Sequence, residues 1–284
     1  MIKLSLKIIF LSVFSCSIFR IDSLNALIPH YYQPTAINLK KEGLSIGKKA
    51  YQLLYFGQIK EGLNLAKLAV KIDKSNETLW TILAEAQIAN NLDKDALISL
   101  SKAQKINPKM GEIYLAKSAI YIRQSKIKKA EITLEKGIKI VPENFRAIFQ
   151  LGNVFLMSME YEKAVVEFDK AILIKKDFWQ AINNKGLAYF ELNKKDLSIT
   201  SFKNAISLEE NAEPLLALAS CLRAQNINEA ILLAKKALIK EPKYVEYDYR
   251  KEQLWGEKLQ NSTEKLFKNN QLQEEIILAK KKIN

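Results

Sequence analysis

Apolar residues recur along this chain in short stripes at helical spacing, two stripes to a block, with a brief polar turn between them. The clearest block holds Trp80, Leu83 and Ala84, then Ala96, Leu100 and Ala103, and it closes at Pro108. A shift of 34 residues gives Tyr114, Ser118, Tyr121, Ala130, Leu134, Gly137 and Pro142. The next shifts give Ile148, Leu151, Gly152, Phe155, Ala164, Phe168 and Ala171, then Ile182, Gly186, Tyr189, Ser198, Phe202 and Ala205. One period earlier stand Ile46, Ala50, Leu53, Gly62, Ala66 and Ala69. A last block keeps Ala230, Ala234, Ala237 and Pro242 but starts about two residues early.

This spacing predicts pairs of short helices packed closely on one another. Small residues such as Ala130, Gly152, Ala164 and Gly186 fall where two helices cross, and anything larger there would hold the helices apart. Trp80, Tyr114, Phe155, Phe168, Tyr189 and Phe202 fill the gaps between neighbours. Asn90–Asp93, Gln124–Lys126 and Asn193–Lys195 read as the turns, and proline follows the second helix, where it ends the helix without breaking it.

The pattern resembles the tetratricopeptide repeat, whose period is about 34 residues. The resemblance covers residues 43–242, as blocks 43–76, 77–110, 111–144, 145–178, 179–210 and 211–242. It implies an all-α fold, a right-handed superhelical solenoid of about six helix-turn-helix hairpins with a C-terminal capping helix. Departures fall at Gly62 and Ser198 in place of the crossing Ala. Lys74, Lys176 and Glu210 replace the closing Pro, and Lys185 stands where Leu is usual. They bear on local geometry, since such stacks are stabilised by nearest-neighbour packing.

In this family the first helix of each hairpin lines a concave groove that holds partner peptides. By register, that groove takes Tyr51, Tyr55, Glu85, Arg123, Arg146, Phe149, Asn153, Gln180, Asn183 and Leu187. Arg146, Asn153 and Asn183 would hydrogen-bond an extended backbone; Asn153 and Asn184 equally suit a brace between neighbouring helices. One family mode, the gripping of a C-terminal carboxylate, is excluded. Asn153 and Asn184 match it, but Phe149, Ala212 and Leu216 occupy the places that need cations.

Composition narrows the function. Hydrophobic residues at 48% and charged residues at 26% fit a folded body, and the repeat turns 284 residues into one elongated unit with no length left for a catalytic domain. The single histidine, His30, leaves no His-based acid–base pair or triad, and no cofactor or metal site is expected. A net charge of +13 suggests two readings: scattered solvated lysines, or a polyanion-binding surface for nucleic acid, anionic lipid or cell-wall polymer. The scatter of Lys102, Lys105 and Lys109, with no phosphate loop or aromatic platform beside them, argues against nucleic acid. Cys16 and Cys221 lie in different kinds of segment, so no disulfide is expected and Cys221 reads as a small core residue.

Residues 1–26 read as an address. Lys3 and Lys7 precede an apolar run through Phe19 that contains no acid, and Leu24-Asn25-Ala26 offers a small-residue cleavage site. A cleaved signal, a retained membrane anchor and a lipidated Cys16 all stay open. Residues 27–42 read as a linker or lead-in, with Pro29 and Pro34 opposing helix and Tyr31-Tyr32 as a possible end cap. Residues 243–284 read as capping helices. They begin with one longer helix through Tyr247, Arg250, Leu254 and Trp255, and end in the basic cluster Lys280–Lys282. The stretch Tyr249–Gly256 is similar to the end of repeat proteins in cyanobacteria and plastids. That similarity implies a setting in the periplasm, the thylakoid lumen or a membrane surface, and a role in photosynthetic-membrane assembly.

Overall fold

The structure, a computed structural model, describes residues 35–283. The proposed address of residues 1–26, Cys16, His30 and the Tyr31-Tyr32 cap lie outside the described residues.

Twelve helices form six consecutive antiparallel pairs. They are α1 (Ala36–Tyr55) with α2 (Ile59–Ile72), α3 (Glu77–Ala89) with α4 (Asp93–Ile106), and α5 (Gly111–Arg123) with α6 (Ile127–Ile140). Then follow α7 (Phe145–Met157) with α8 (Tyr161–Ile174), α9 (Trp179–Glu191) with α10 (Lys195–Leu208), and α11 (Ala212–Leu222) with α12 (Ile227–Lys240). Each second helix packs on the first helix of the next pair, and the first helices also touch one another in series. The stack is a right-handed all-α solenoid whose first helices line the concave side.

The turns show why the period is strict. Gly57, Asn91, Ser125, Met159 and Asn193 all take the left-handed conformation, and each stands 34 residues after the one before. In each case the residue just after it donates its amide to a carbonyl five residues back, as Leu92 does to Gln87 at 2.8 Å, which closes the first helix of the pair. The sixth turn, through Gln225 and Asn226, uses no positive φ, consistent with the shorter α11 and the early register of the last block.

The crossing positions are as tight as the spacing requires. A Cβ on Gly152 would sit 2.5 Å from the Phe168 ring, and one on Gly186 would sit 2.7 Å from the Phe202 ring. Both rings are fully buried, so each glycine is the socket for an aromatic of the paired helix. The departures from the pattern are absorbed locally. Ser198 donates to the Gly186 carbonyl at 2.9 Å, Leu54 fills the space over Gly62, and Lys185 pairs with Asp169 at 2.9 Å while lying over the Tyr189 ring. Cys221 is a buried free thiol beside the Ser198 hydroxyl.

Two boundaries differ from the sequence expectation. The first helix begins at Ala36, so residues 36–42 are helical rather than lead-in. Thr35 caps this helix by accepting from the Asn38 amide at 3.2 Å. After α12 there is no single long helix. A 3₁₀ turn (Pro242–Val245) leads to α13 (Tyr247–Glu252), a left-handed Leu254 reverses the chain, and α14 (Glu257–Phe267) and α15 (Gln273–Ile283) follow. The last of these, α15, caps the stack by packing on α12 and the 3₁₀ turn. By contrast, α14 packs on α11 and α9, which places it inside the concave groove.

Among the described residues no helix is long and apolar enough to cross a membrane.

Candidate functional site, the concave groove

The first helices turn one face toward the concave side, and the groove they form is open over repeats one to four and filled over repeats five and six. The filled end shows what this surface grips. At the N-terminus of α14, Gly256 offers no side chain to satisfy the first amides. Glu191 from α9 supplies that cap, its carboxylate accepting from the amides of Lys258 at 3.2 Å and Leu259 at 3.0 Å. A Cβ on Gly256 would lie 2.3 Å from the Glu191 carboxyl carbon, so only glycine permits this approach. Burial raises the Glu191 pKa, and the two amides partly offset that rise.

A second carboxylate of the groove wall holds the strap at Trp255. The indole Nε1 donates to Glu213 of α11 at 3.1 Å, and the side chains of Asn183 and Tyr244 also donate to it. Burial pushes the Glu213 pKa up to about 7 against these hydrogen bonds, and burial together with the Glu213 charge raises that of the Tyr244 phenol. Farther along α14, Thr263 pairs with Ser220 at 2.7 Å, and Ser262 donates to the Ser220 carbonyl at 2.7 Å. Behind the strap, Arg250 is fully buried. It donates to the Tyr244 carbonyl at 2.7 Å, the Val245 carbonyl at 3.0 Å and Gln260 Oε1 at 2.7 Å, and it pairs with Glu264.

The structure therefore corrects two of the groove residues expected from the register. Asn183 and Leu187 do face the concave side, but the chain's own C-terminal segment covers them, leaving them 0% and 1% exposed. Asn183 spends its amide on Asn184 and Glu213, and Leu187 joins the apolar cluster that also holds Trp255 and Leu259. Two more are tied up inside the scaffold. Asn153 accepts from Asn184 at 2.8 Å, a brace between repeats four and five. Arg123 pairs with Asp93 of the preceding repeat, and its Nε donates to Asp93 at 3.3 Å.

The remaining expected residues stay open to solvent. Tyr51 and Tyr55 of α1 are exposed, as are Glu85 of α3 and Arg146 of α7, while Phe149 and Gln180 are half-buried. Arg146 lies over the Phe145 ring, and Phe149 stacks edge-on against Phe178 with ring centroids 4.8 Å apart. A depression of about 390 Å³ lies between α1, α3 and α5. Tyr51, Ile82 and Met110 form its apolar wall, and Lys48, Gln52, Thr78, Thr81, Glu85 and Glu112 its polar one. Neither carboxylate makes an ion pair among the described residues. Desolvation, then the Glu112 charge, raise the Glu85 pKa.

Sequence reasoning missed Glu112, Met110, Glu191 and Glu213. Register would have found Glu112, which sits one period after Thr78, and Glu191, one period after Met157. Glu213 carried a separate signal, as the one carboxylate at the head of the apolar run Pro214–Leu222.

Residues 111–144 and 180–211 match the tetratricopeptide repeat family. No curated protein matches the chain. Among solved structures, the crystal structure of MamA is 25% identical with a TM-score of 0.50, covering 57% of this chain and 94% of that one. PilF of Pseudomonas aeruginosa is 16% identical with a TM-score of 0.62, covering 75% and 98%. The structure of the APC/C hetero-tetramer Cut9–Hcn1 is 18% identical with a TM-score of 0.60, covering 75% of this chain and 41% of that one. The last two show likeness of fold alone. Two matched repeats, turns recurring every 34 residues and a solenoid of paired helices show that the chain carries tetratricopeptide repeats and has the fold of solved proteins built from them.

Proposed function

We propose that this protein is an exported or membrane-tethered scaffold that holds a partner protein or peptide in the open groove of repeats one to four and assists assembly of a complex. The observation that carries this reading is the split of the groove into a closed and an open half. Over repeats five and six the wall already grips a segment of chain through its carboxylates and apolar positions. Over repeats one to four the equivalent wall, with Tyr51, Glu85, Glu112 and Arg146, stands uncovered. Aromatic and Arg side chains on a concave surface are the usual anchors of a protein interface.

The tether rests on the sequence of residues 1–26, with its basic start and apolar run. A photosynthetic membrane is the setting taken from the similarity at Tyr249–Gly256, a stretch that here forms the lock around Arg250 and Trp255.

The test is a crosslinked pull-down from the membrane fraction, comparing the intact protein with Tyr51→Ala plus Arg146→Glu. Both side chains are exposed, so the fold is left intact. Loss of one specific protein partner supports the groove. Recovery of that partner in full yield sinks the groove assignment.

A further inference from the structure

Most of the basic surplus is spread over the solenoid, but at one place it converges. Between α14, the α9–α10 turn and the end of α11 lies a cavity of about 420 Å³. Lys195, Arg223, Lys258 and Lys265 line it together with the amides of Asn193 and Asn261, and no carboxylate does. These cations come from three elements far apart in sequence, so the cluster exists only because α14 folds back into the groove.

The cations are largely uncommitted. Lys258 donates its ammonium to the Glu191 carbonyl, and the Glu191 carboxylate is turned to the α14 amides. Lys195, Arg223 and Lys265 make no ion pair among the described residues. The Nε of Arg223 is buried and has no hydrogen-bond partner among them. A buried donor without an acceptor is unfavourable, and so is the gathering of like charges around one cavity. A multiply charged anion relieves both. Guanidinium forks and ammonium groups together with amide donors are the usual partners of phosphate oxygens.

We propose that this pocket binds a single phosphate group, carried either by a small phosphate ester or by the headgroup of an anionic lipid. The site is separate from the peptide groove and stands whether or not that reading holds. Its size admits one phosphate with a glycerol- or sugar-sized substituent. A nucleic-acid strand would need a continuous basic track instead.

The test uses the full chain. Binding of inorganic phosphate and glycerol 3-phosphate is measured by titration calorimetry, and binding to phosphatidylcholine vesicles with and without phosphatidylglycerol by co-sedimentation. The pocket pair Arg223→Gln with Lys265→Gln is compared with the control pair Lys129→Gln with Lys136→Gln. The control removes the same charge from exposed positions of α6. Lys195→Gln, whose side chain has no internal hydrogen bond, gives an independent readout if the Arg223 variant unfolds.

Loss of phosphate-probe affinity by about tenfold or more in the pocket variants, with less than about twofold change in the control, supports the site. A small-ester ligand leaves vesicle binding equally sensitive to both pairs; a lipid ligand makes it fall selectively in the pocket pair. The proposal is overturned if phosphate probes fail to bind below about 10 mM and vesicle binding weakens equally in both pairs. It is also overturned if an oligonucleotide binds more tightly than either probe and the two pairs weaken it equally.

Discussion

Arg250→Ala is the sharpest probe of how the chain closes its own groove. The guanidinium is fully buried and holds three acceptors that have little access to water, the Tyr244 and Val245 carbonyls and Gln260 Oε1; Glu264, about half exposed, is the fourth partner. Removing the side chain strands the first three. Each buried group left without a partner costs about 1–3 kcal/mol, and water entering the vacated space recovers part of that. A net loss of about 3–5 kcal/mol follows, in the range found when one partner of a buried charged network is deleted. In a solenoid the loss stays near its source, because each repeat feels only its neighbours. The measurement is native-state hydrogen exchange, resolved by segment. Amides of α14 should lose about a hundredfold or more of their protection, while those of α3 to α6 change by less than about threefold. Destabilisation under about 1 kcal/mol, or an equal loss of protection across the first three repeats, would refute the view that Arg250 locks a separable closing segment.

Further expectations concern single groups in the same framework. Glu213 has a pKa of about 7 in the folded chain against an ordinary 4.5, so it favours the folded state most at low pH. That contribution is present in full below pH 4.5 and is lost as pH rises to 7, in all roughly 3 kcal/mol. Glu85 and Glu191 shift in the same direction, so the comparison is urea unfolding of wild type against Glu213→Gln over that window, and parallel pH slopes would contradict the assignment. Met159 is exposed and held at φ 59°, so Met159→Gly should stabilise repeat four by about 0.5–1 kcal/mol, read as a higher urea midpoint. Gly256→Ala should push Glu191 off the α14 terminus, costing about 1–2 kcal/mol and speeding exchange of the Lys258 and Leu259 amides.

The periodic part of the molecule was legible because one physical requirement repeats. Small residues meet large ones where helices cross, and a left-handed residue closes the first helix in five of the six pairs, so Gly152 with Phe168, Gly186 with Phe202, and Asn91 with Asn193 leave a recurring trace. The C-terminal segment carries no such repetition. Arg250 sits at helical spacing from Leu254 and reads as part of one longer helix, yet it is buried at the centre of a bend, because the reversal at Leu254 brings Gln260 and Glu264 around it. That reversal, at a non-glycine residue with φ 65°, has no local sequence mark. It accounts for the burial of Asn183 and Leu187: the register puts both on the first helix of a pair, but it carries no information about a segment some 70 residues later covering them. The start of α1 departs from the repeat register for a simpler reason. The repeat register begins at Gly43, but a helix with no preceding hairpin is free to extend, and it runs back to the Thr35 cap.

The central claim is that a protein partner lies in the open half of the groove. It is tested most directly by site-specific photocrosslinking from single positions in the intact chain. A photoreactive residue replaces Tyr51, Glu85 or Arg146 on the concave side, or Leu173 on α8, which is 77% exposed on the convex side. The account predicts one common crosslinked partner from the three groove positions and none from Leu173. Equal crosslinking from Leu173, or three unrelated products from the groove positions, would contradict it.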